Sequence, residues 1–92
     1  MKIVKISAIW CGACLIMNKV WNKLKDNYKF EAIELDLDMD EDEVKKYDVG
    51  NNIPVFIVYD GDKEITRVTG EFNEEEFIEK LEEVGVVLEK NN

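Results

Sequence analysis

Two cysteines, Cys11 and Cys14, are the residues of this 92-residue chain that are best suited to chemistry. They stand three positions apart, at the point where an apolar stretch gives way to a helical pattern. The unpaired N–H groups and the dipole of a helix N-terminus favour an anion, and a thiolate at Cys11 would be that anion. Cys14 lies one turn further along the same face, within reach of an intrachain disulfide. The spacing therefore predicts thiol–disulfide exchange in which Cys11 is the nucleophile and Cys14 the resolving thiol.

Metal binding is the main alternative for a Cys-x-x-Cys pair, because such a pair is often half of a zinc site. A zinc site usually has four ligands, and the sequence contains no histidine and no further cysteine. A zinc ion or a cluster could then be held only between two subunits, and we assign no metal ligand. The acidic stretch 36–43 has alternate aspartates like a calcium loop, but Glu41 and Tyr47 stand where that loop needs glycine and glutamate. We interpret this stretch as a helix cap and a solvated surface.

The composition narrows the range of partners and compartments. The formal net charge is -9 and the sequence pI is about 4.4, so nucleic acid, anionic membranes and anionic glutathione are poor partners. The length predicts a single domain over residues 1–92. The apolar run near the N-terminus has no small-residue cleavage site, and no apolar stretch is long enough to cross a bilayer. We therefore expect a cytoplasmic protein, in which a lone cysteine pair is more often catalytic or metal-binding than a structural disulfide.

The hydrophobic periodicity predicts an α/β fold with the element order β-α-β-α-β-β-α. A helix joins the first two strands, which implies a parallel pair, and a hairpin turn at Asp60-Gly61 joins the last two. The economical arrangement is a four-stranded mixed sheet flanked by three helices. The predicted strands are residues 2–8, 30–37, 54–59 and 64–69, and the predicted helices are residues 11–25, 41–47 and 74–84.

Local patterns also predict how the helices begin and which face each of them buries. Asp40 with Glu43 forms a predicted capping box before the second helix, and Asn73 with Glu76 forms one before the third. Ile16 belongs to the apolar stripe that recurs at helical spacing along the first helix, so we expect it to be buried.

Three motifs share their order and spacing with one known family. They are the stretch 10–14 (Trp-Cys-Gly-Ala-Cys) after an apolar strand, Ile53-Pro54 at the start of a later strand, and Gly70 after the strand that follows. With these motifs the chain, from residue 2 to about residue 85, resembles thioredoxin. The resemblance implies a minimal thioredoxin-like fold and a protein-disulfide reductase that needs no bound cofactor.

The resemblance also assigns a substrate surface and partners. It implies a cis peptide bond between Ile53 and Pro54 that lies beside the cysteine pair, and the backbone of Ile53 would pair with the substrate. The substrates would be disulfide-containing proteins, and a thioredoxin reductase or a similar flavoenzyme would donate the electrons to a monomer. The residues that we expect at the substrate surface are Trp10, Gly12, Ala13, Ile53, Pro54 and Gly70.

Two departures from the family pattern bear on reactivity. Ala13 stands where the family usually has a proline, and we expect a somewhat less reducing protein. Lys5 stands where thioredoxins carry a buried acid, and Glu34 aligns with a position that often carries lysine, so we expect the two to pair. One hypothesis is that they are catalytic and manage the proton of Cys14 during resolution. In the other hypothesis Lys5 extends to the edge of the strand and has no catalytic role.

The size of the chain leaves other functions open. By the same resemblance it lacks the N-terminal strand and helix of a full-length thioredoxin, and it is closer in size to the glutaredoxin-like version of the fold. The alternatives are a glutaredoxin-like oxidoreductase and a redox-inert or metal-bridging binding module. The segment 48–52 has no basic residue for the carboxylates of glutathione, and both cysteines are present. These observations favour a general protein-disulfide reductase.

Overall fold

The structure, a computed structural model, describes residues 1–91 and has the main elements in the predicted order. The predicted four-stranded mixed sheet with three helices is confirmed. In chain order the elements are β1 (Lys2–Ser7), α1 (Gly12–Asn27), β2 (Tyr28–Lys29), β3 (Glu31–Asp36), α2 (Glu41–Val44), a 3₁₀ turn (Lys45–Tyr47), β4 (Val55–Asp60), β5 (Lys63–Thr69), α3 (Glu74–Glu83) and β6 (Glu89–Lys90).

The main sheet has the strand order β3-β1-β4-β5. β1 pairs in parallel with β3, whereas the β1–β4 and β4–β5 pairs are antiparallel. α1 provides the crossover that a parallel pair requires. β1 and β4 are the central strands and are buried on both faces; β4 begins with a continuous apolar run, whereas the buried stretch of β1 includes Lys5. The end of β1 therefore delivers the chain directly to the cysteines at the start of α1.

Two hydrophobic clusters pack on opposite faces of this sheet. The larger cluster includes residues of α1 and α3 and is built around Trp21, Phe56 and Phe77, each at most 1% exposed. The ring centroid of Phe56 lies 5.6 Å from that of Trp21 and 5.9 Å from that of Phe77. Burial of one such side chain contributes about 2–3 kcal/mol to folding. The smaller cluster packs Val44 of α2 on the other face. Within the described part of the chain, no helix is both long and apolar enough to cross a membrane.

The structure confirms one predicted capping box and shows that the other is wrong. At α3, the side chain of Asn73 accepts from the N–H of Glu76 at 2.8 Å, and Glu76 accepts from the N–H of Asn73 at 3.2 Å. Asp40 makes no side-chain cap bond to α2, because its Oδ2 accepts from the N–H of Asp36 at 2.8 Å. The Asp36 side chain accepts in turn from the N–H of Asp38 at 2.9 Å. Side chains in this acidic turn thus bond to nearby backbone groups outside the helix.

A second sheet of two short strands, which the sequence does not predict, joins the C-terminal segment to α1. β2 and β6 pair antiparallel just after the end of that helix. The side-chain amide of Asn91 donates to the carbonyl oxygens of Lys25, Asp26 and Tyr28 at 3.4, 3.0 and 3.1 Å. These carbonyls belong to the helix end, where backbone acceptors have no partner within the helix. The C-terminal segment therefore caps the end of α1 that is remote from the cysteines.

Candidate functional site

The two cysteines occupy the start of α1 with unequal surroundings. Cys11 is the N-cap residue, in an extended conformation, and its Sγ accepts a hydrogen bond from the N–H of Cys14 at 3.2 Å. The N–H of Cys11 itself donates to the carbonyl oxygen of Ala8, just after β1, at 3.2 Å. Cys11 is 8% exposed and Cys14 is 2% exposed, and both are free thiols. Sulfur at the N-cap position takes the place that a capping hydroxyl or carboxylate usually fills, so the helix end is ready to stabilise a thiolate there.

The thiol of Cys14 resists ionisation. Burial, followed by the hydrogen bond with Cys11, raises the pKa of Cys14 to about 11. The charge of Lys5 acts in the opposite direction on the same pKa. At neutral pH Cys14 is therefore a protonated thiol, and a reaction that uses its sulfur as a nucleophile must first remove that proton.

A buried lysine lies on the same side of the sheet as α1. Lys5 is 5% exposed, and its Nζ donates to Oδ1 of Asn18 at 2.5 Å. Lys5 faces Glu34 across the β1–β3 pair, with 3.8 Å between Nζ and Oε1, so the predicted pairing of these two residues is confirmed. Glu34 also lies 3.6 Å from Nζ of Lys25. Burial lowers the pKa of Lys5, and the nearby carboxylate of Glu34 opposes that effect.

Alternation along β1 explains why the lysine is inside. Val4 and Ile6 pack in the cluster beneath α2, whereas Ile3 packs in the cluster beneath α1. Side chains two apart in a strand share a face, so Lys5 must point towards α1. It lines a cavity of about 400 Å³ whose walls include Cys14. The other residues of this wall are Ser7, Ala8, Ile9, Leu15, Asn18, Trp21, Asn22, Glu34 and Asp36.

An apolar surface surrounds the mouth of the site. Trp10 is 65% exposed, and its indole Nε1 donates to Oδ2 of Asp38 at 2.7 Å, a contact that the sequence does not predict. Ile16 is 55% exposed, so the prediction that it is buried is wrong. The buried stripe of α1 runs through positions 14, 17, 21 and 24, and position 16 lies about 100° around the helix from position 17. Ile9 and Leu15 are exposed as well.

The structure brings the predicted proline and glycine together beside the cysteines. The Ile53–Pro54 bond is cis, as expected. Ile53 packs against the buried cluster of Ala8, Cys11 and Cys14. The N–H of Gly70 donates to the carbonyl oxygen of Pro54 at 3.1 Å, and Gly70 adopts φ 85, a conformation that favours glycine.

The remaining predicted site residues lie within α1. Gly12 is exposed and Ala13 is half-buried, both in the first turn of the helix. Among residues 1–91, no three His, Cys, Asp or Glu side chains form a group that could hold a metal ion.

A cysteine pair at a helix N-terminus, set beside a cis-proline on a four-stranded sheet, defines a protein of the thioredoxin-fold class. A family model described as Thioredoxin matches residues 1–83. The chain is 36% identical over 69 residues to thioredoxin-2 of Saccharomyces cerevisiae, a match that covers 74% of this chain and 65% of the relative. It is 31% identical over 83 residues to a thioredoxin of Staphylococcus epidermidis, with 88% and 79% covered.

A solved structure described as a malarial protein has the same fold, with a TM-score of 0.82. It is 22% identical in sequence, and the superposition covers 92% of this chain and 97% of that one. The chain belongs to the thioredoxin family. The match to the yeast relative spans slightly less than two thirds of that relative's length. Family membership supports a function of the thiol–disulfide oxidoreductase kind.

Proposed function

We propose that this protein reduces disulfide bonds of other proteins by cycling between a Cys11–Cys14 dithiol and a Cys11–Cys14 disulfide. The observation that carries the proposal is the placement of Cys11 Sγ at the N-cap of α1, where it accepts the N–H of Cys14 at 3.2 Å. This arrangement stabilises negative charge on the sulfur of Cys11 and keeps the thiol of Cys14 one helical turn away.

The reaction consists of two thiol–disulfide exchanges. The thiolate of Cys11 attacks one sulfur of the client disulfide, the client S–S bond breaks, and the other client sulfur leaves as a thiolate that takes a proton from water. The thiolate of Cys14 then attacks the sulfur of Cys11 and displaces the second client sulfur, which is also protonated. The client gains two electrons and two protons, and the protein is left with an intrachain disulfide.

The first exchange also prepares the second. The hydrogen bond and the charge of Cys11 both raise the pKa of Cys14, next to the larger effect of burial. When Cys11 is bound to a client sulfur, its negative charge is gone, and the pKa of Cys14 falls towards the value set by burial alone. The positive charge of Lys5 lowers the pKa of Cys14 further. Lys5 and its partner Glu34 therefore help Cys14 to lose its proton into the adjoining cavity at the moment of resolution.

The client would lie on the exposed surface around Cys11. Trp10 offers a large amphipathic side chain, which Asp38 holds in place. Gly12 and Ala13 present little bulk, and the backbone of Ile53 would pair with an extended client segment; in support, Ile53 precedes the cis bond to Pro54, whose carbonyl oxygen accepts from the N–H of Gly70. No bound cofactor is needed, because the cysteine pair carries both electrons. A thioredoxin reductase or a similar flavoenzyme in the cytoplasm would restore the dithiol.

The decisive test is the reduction of insulin by the purified protein, with a thioredoxin reductase or with glutathione as the electron donor. Turnover with the reductase, loss of turnover in Cys11→Ser, and a trapped mixed disulfide in Cys14→Ser are the expected results. The redox potential measured in the same preparation should lie above that of ordinary thioredoxins, because Ala13 replaces the usual proline. The absence of insulin reduction with either donor, while both cysteines are intact, would refute the proposal; turnover with glutathione alone would favour a glutaredoxin-like activity.

A further inference from the structure

The segment 48–53 leads from the 3₁₀ turn to the cis bond, so its shape decides where the Ile53 backbone lies. Asp48 begins the segment with φ 52 and ψ 54, a left-handed conformation that residues other than glycine adopt infrequently. Within the segment, the N–H of Asn52 donates to the carbonyl oxygen of Val49, and the N–H of Ile53 donates to that of Asn51, both at 3.1 Å. These local bonds shape the segment internally but do not connect it to the sheet.

Arg67 of β5 makes that connection. Its Nη1 donates to the carbonyl oxygen of Asp48 at 3.3 Å, and its Nε and Nη2 donate to the two carboxylate oxygens of Glu64 at 2.6 and 2.9 Å. The bidentate bond to Glu64 fixes the plane of the guanidinium group, which leaves Nη1 directed at the segment. Among the residues that the structure describes, no other side chain donates a hydrogen bond to a carbonyl oxygen of residues 48–53.

The same segment borders an open site near the cysteines. Residues 48–51 line a cavity of about 520 Å³, and Asp38, which holds the Trp10 indole, lines it as well. One wall of this cavity is thus continuous with the backbone that leads to Ile53, and its other side includes the residue that orients Trp10. A shift of Asp48 would move the wall and the client-pairing backbone together.

We propose that Arg67, oriented by Glu64, is a positioning residue for protein clients. It holds Asp48 in its left-handed conformation and thereby fixes the conformation of the segment 48–53. That segment presents the Ile53 backbone to the client and lines the cavity. The proposal rests on the proposed function, since it assigns the segment a role in binding the client. Arg67 takes no part in the exchange of sulfur atoms.

The first experiment separates client binding from sulfur chemistry. Arg67→Met keeps the aliphatic stem and removes the guanidinium group. Its kcat and KM are measured with insulin and with bis(2-hydroxyethyl) disulfide, a neutral disulfide that has no peptide backbone to pair with Ile53. Loss of one hydrogen bond to the backbone corresponds to an increase of about five- to tenfold in the KM for insulin. The kinetic constants for the small disulfide should stay within about twofold of the wild type.

A second variant tests the left-handed conformation directly. Asp48 has φ 52, and glycine adopts a positive φ without the steric penalty of a side chain. Asp48→Gly combined with Arg67→Met should therefore restore most of the affinity for insulin. Lys63→Met is the matched control, because Lys63 lies on the same strand, is exposed and carries the same charge. It should leave the KM for insulin unchanged.

Amide hydrogen exchange tests the role of Arg67 independently of the proposed function, because the measurement needs no substrate. The amides of Asn52 and Ile53 should exchange several-fold faster in Arg67→Met than in the wild type, whatever the substrate of the protein is. Unchanged exchange together with an unchanged KM for insulin would overturn the proposal. Equal slowing with both disulfides, or a failure of Asp48→Gly to restore affinity, would overturn it too, because Arg67 would then support only the general fold. If the wild type does not reduce insulin, the proposed function fails, while the exchange measurement still decides whether Arg67 holds the segment.

Discussion

The buried thiol of Cys14 should make the reduced protein lose stability as the pH rises from 9 to 11. Burial and then the hydrogen bond with Cys11 raise the pKa of Cys14 from 9.0 to about 11. The folded state therefore holds the thiol proton more tightly than the unfolded chain does. Stability from this source is complete below pH 9 and is lost as the pH rises through 11. A difference of about two pK units corresponds to roughly 3 kcal/mol, which is a large part of the ~5–15 kcal/mol that stabilises a typical domain.

The assay compares urea unfolding of the reduced wild type and of Cys14→Ala, without oxygen, at pH values from 8 to 11. Tyr59 titrates in both proteins and cancels, so the difference between the two stability curves reports Cys14 together with its electrostatic coupling to Cys11 and Lys5. That difference should fall by roughly 2 kcal/mol between pH 8 and pH 11, because about half of the folded molecules still hold the Cys14 proton at the upper end, and the ¹³Cβ resonance of Cys14 should titrate near pH 11. Parallel stability curves, or a titration midpoint near 9, would show that the thiol is not held as a protonated group. The mechanism of resolution would then need no help from Lys5.

Three further changes test the packing and the charges around the site. Lys5→Met should leave stability unchanged or raise it, because an apolar chain replaces a buried charge while Glu34 is half-exposed and keeps Lys25 as its partner, and it should slow insulin turnover. Lys25→Met, which removes the half-buried second partner of Glu34, should change stability by less than about 1 kcal/mol and leave turnover intact; equal turnover in Lys5→Met and the wild type would remove Lys5 from the mechanism. Asn73→Ala should cost about 1 kcal/mol and lower the melting temperature by about 4–8 °C, and an unchanged melting curve would contradict the role of the capping box. Phe56→Ala should cost about 3–5 kcal/mol in urea unfolding, and a loss below about 1 kcal/mol would mean that its ring contacts do not stabilise the core.

The features that the sequence predicts correctly are those with a local pattern or a topological rule behind them. The capping box at Asn73 needs only residues three apart, so tertiary structure does not have to choose the partner. The pairing of Lys5 with Glu34 is what the resemblance to thioredoxin implies, and the crossover helix supports it only in making the two strands parallel and neighbouring. The cysteine pair and the cis-proline belong to motifs with characteristic spacing. The fold and the cysteine pair therefore follow from patterns in the sequence, whereas the cis bond beside the pair follows from the resemblance to thioredoxin.

The sequence does not predict the hydrogen bonds that side chains make to backbone or polar groups far away along the chain. Asn91 donates to carbonyls that lie 63 to 66 residues earlier, Trp10 donates to a carboxylate 28 residues later, and Arg67 reaches a carbonyl 19 residues earlier. Each donor has many possible acceptors in the chain, and only the folded geometry selects one. The predicted capping box at Asp40 is wrong for a related reason. In a run of adjacent acidic residues, several side chains compete for the same few backbone N–H groups, and no local rule decides which carboxylate binds which N–H group.

Trp10 and Trp21 lie in contrasting environments, so the fluorescence of each reports on a different part of the protein. Trp10 is 65% exposed and precedes the reactive cysteine, whereas Trp21 is 1% exposed and its ring lies within 5.9 Å of the amino groups of Lys5 and Lys25. Emission from an indole in water lies at longer wavelength than emission from one in an apolar interior, so the two signals separate in a single spectrum. The long-wavelength component should follow oxidation of the cysteines and the arrival of a client. The short-wavelength component should shift to longer wavelength when the core opens and exposes Trp21, so one fluorescence experiment can follow the redox cycle and unfolding without any added label.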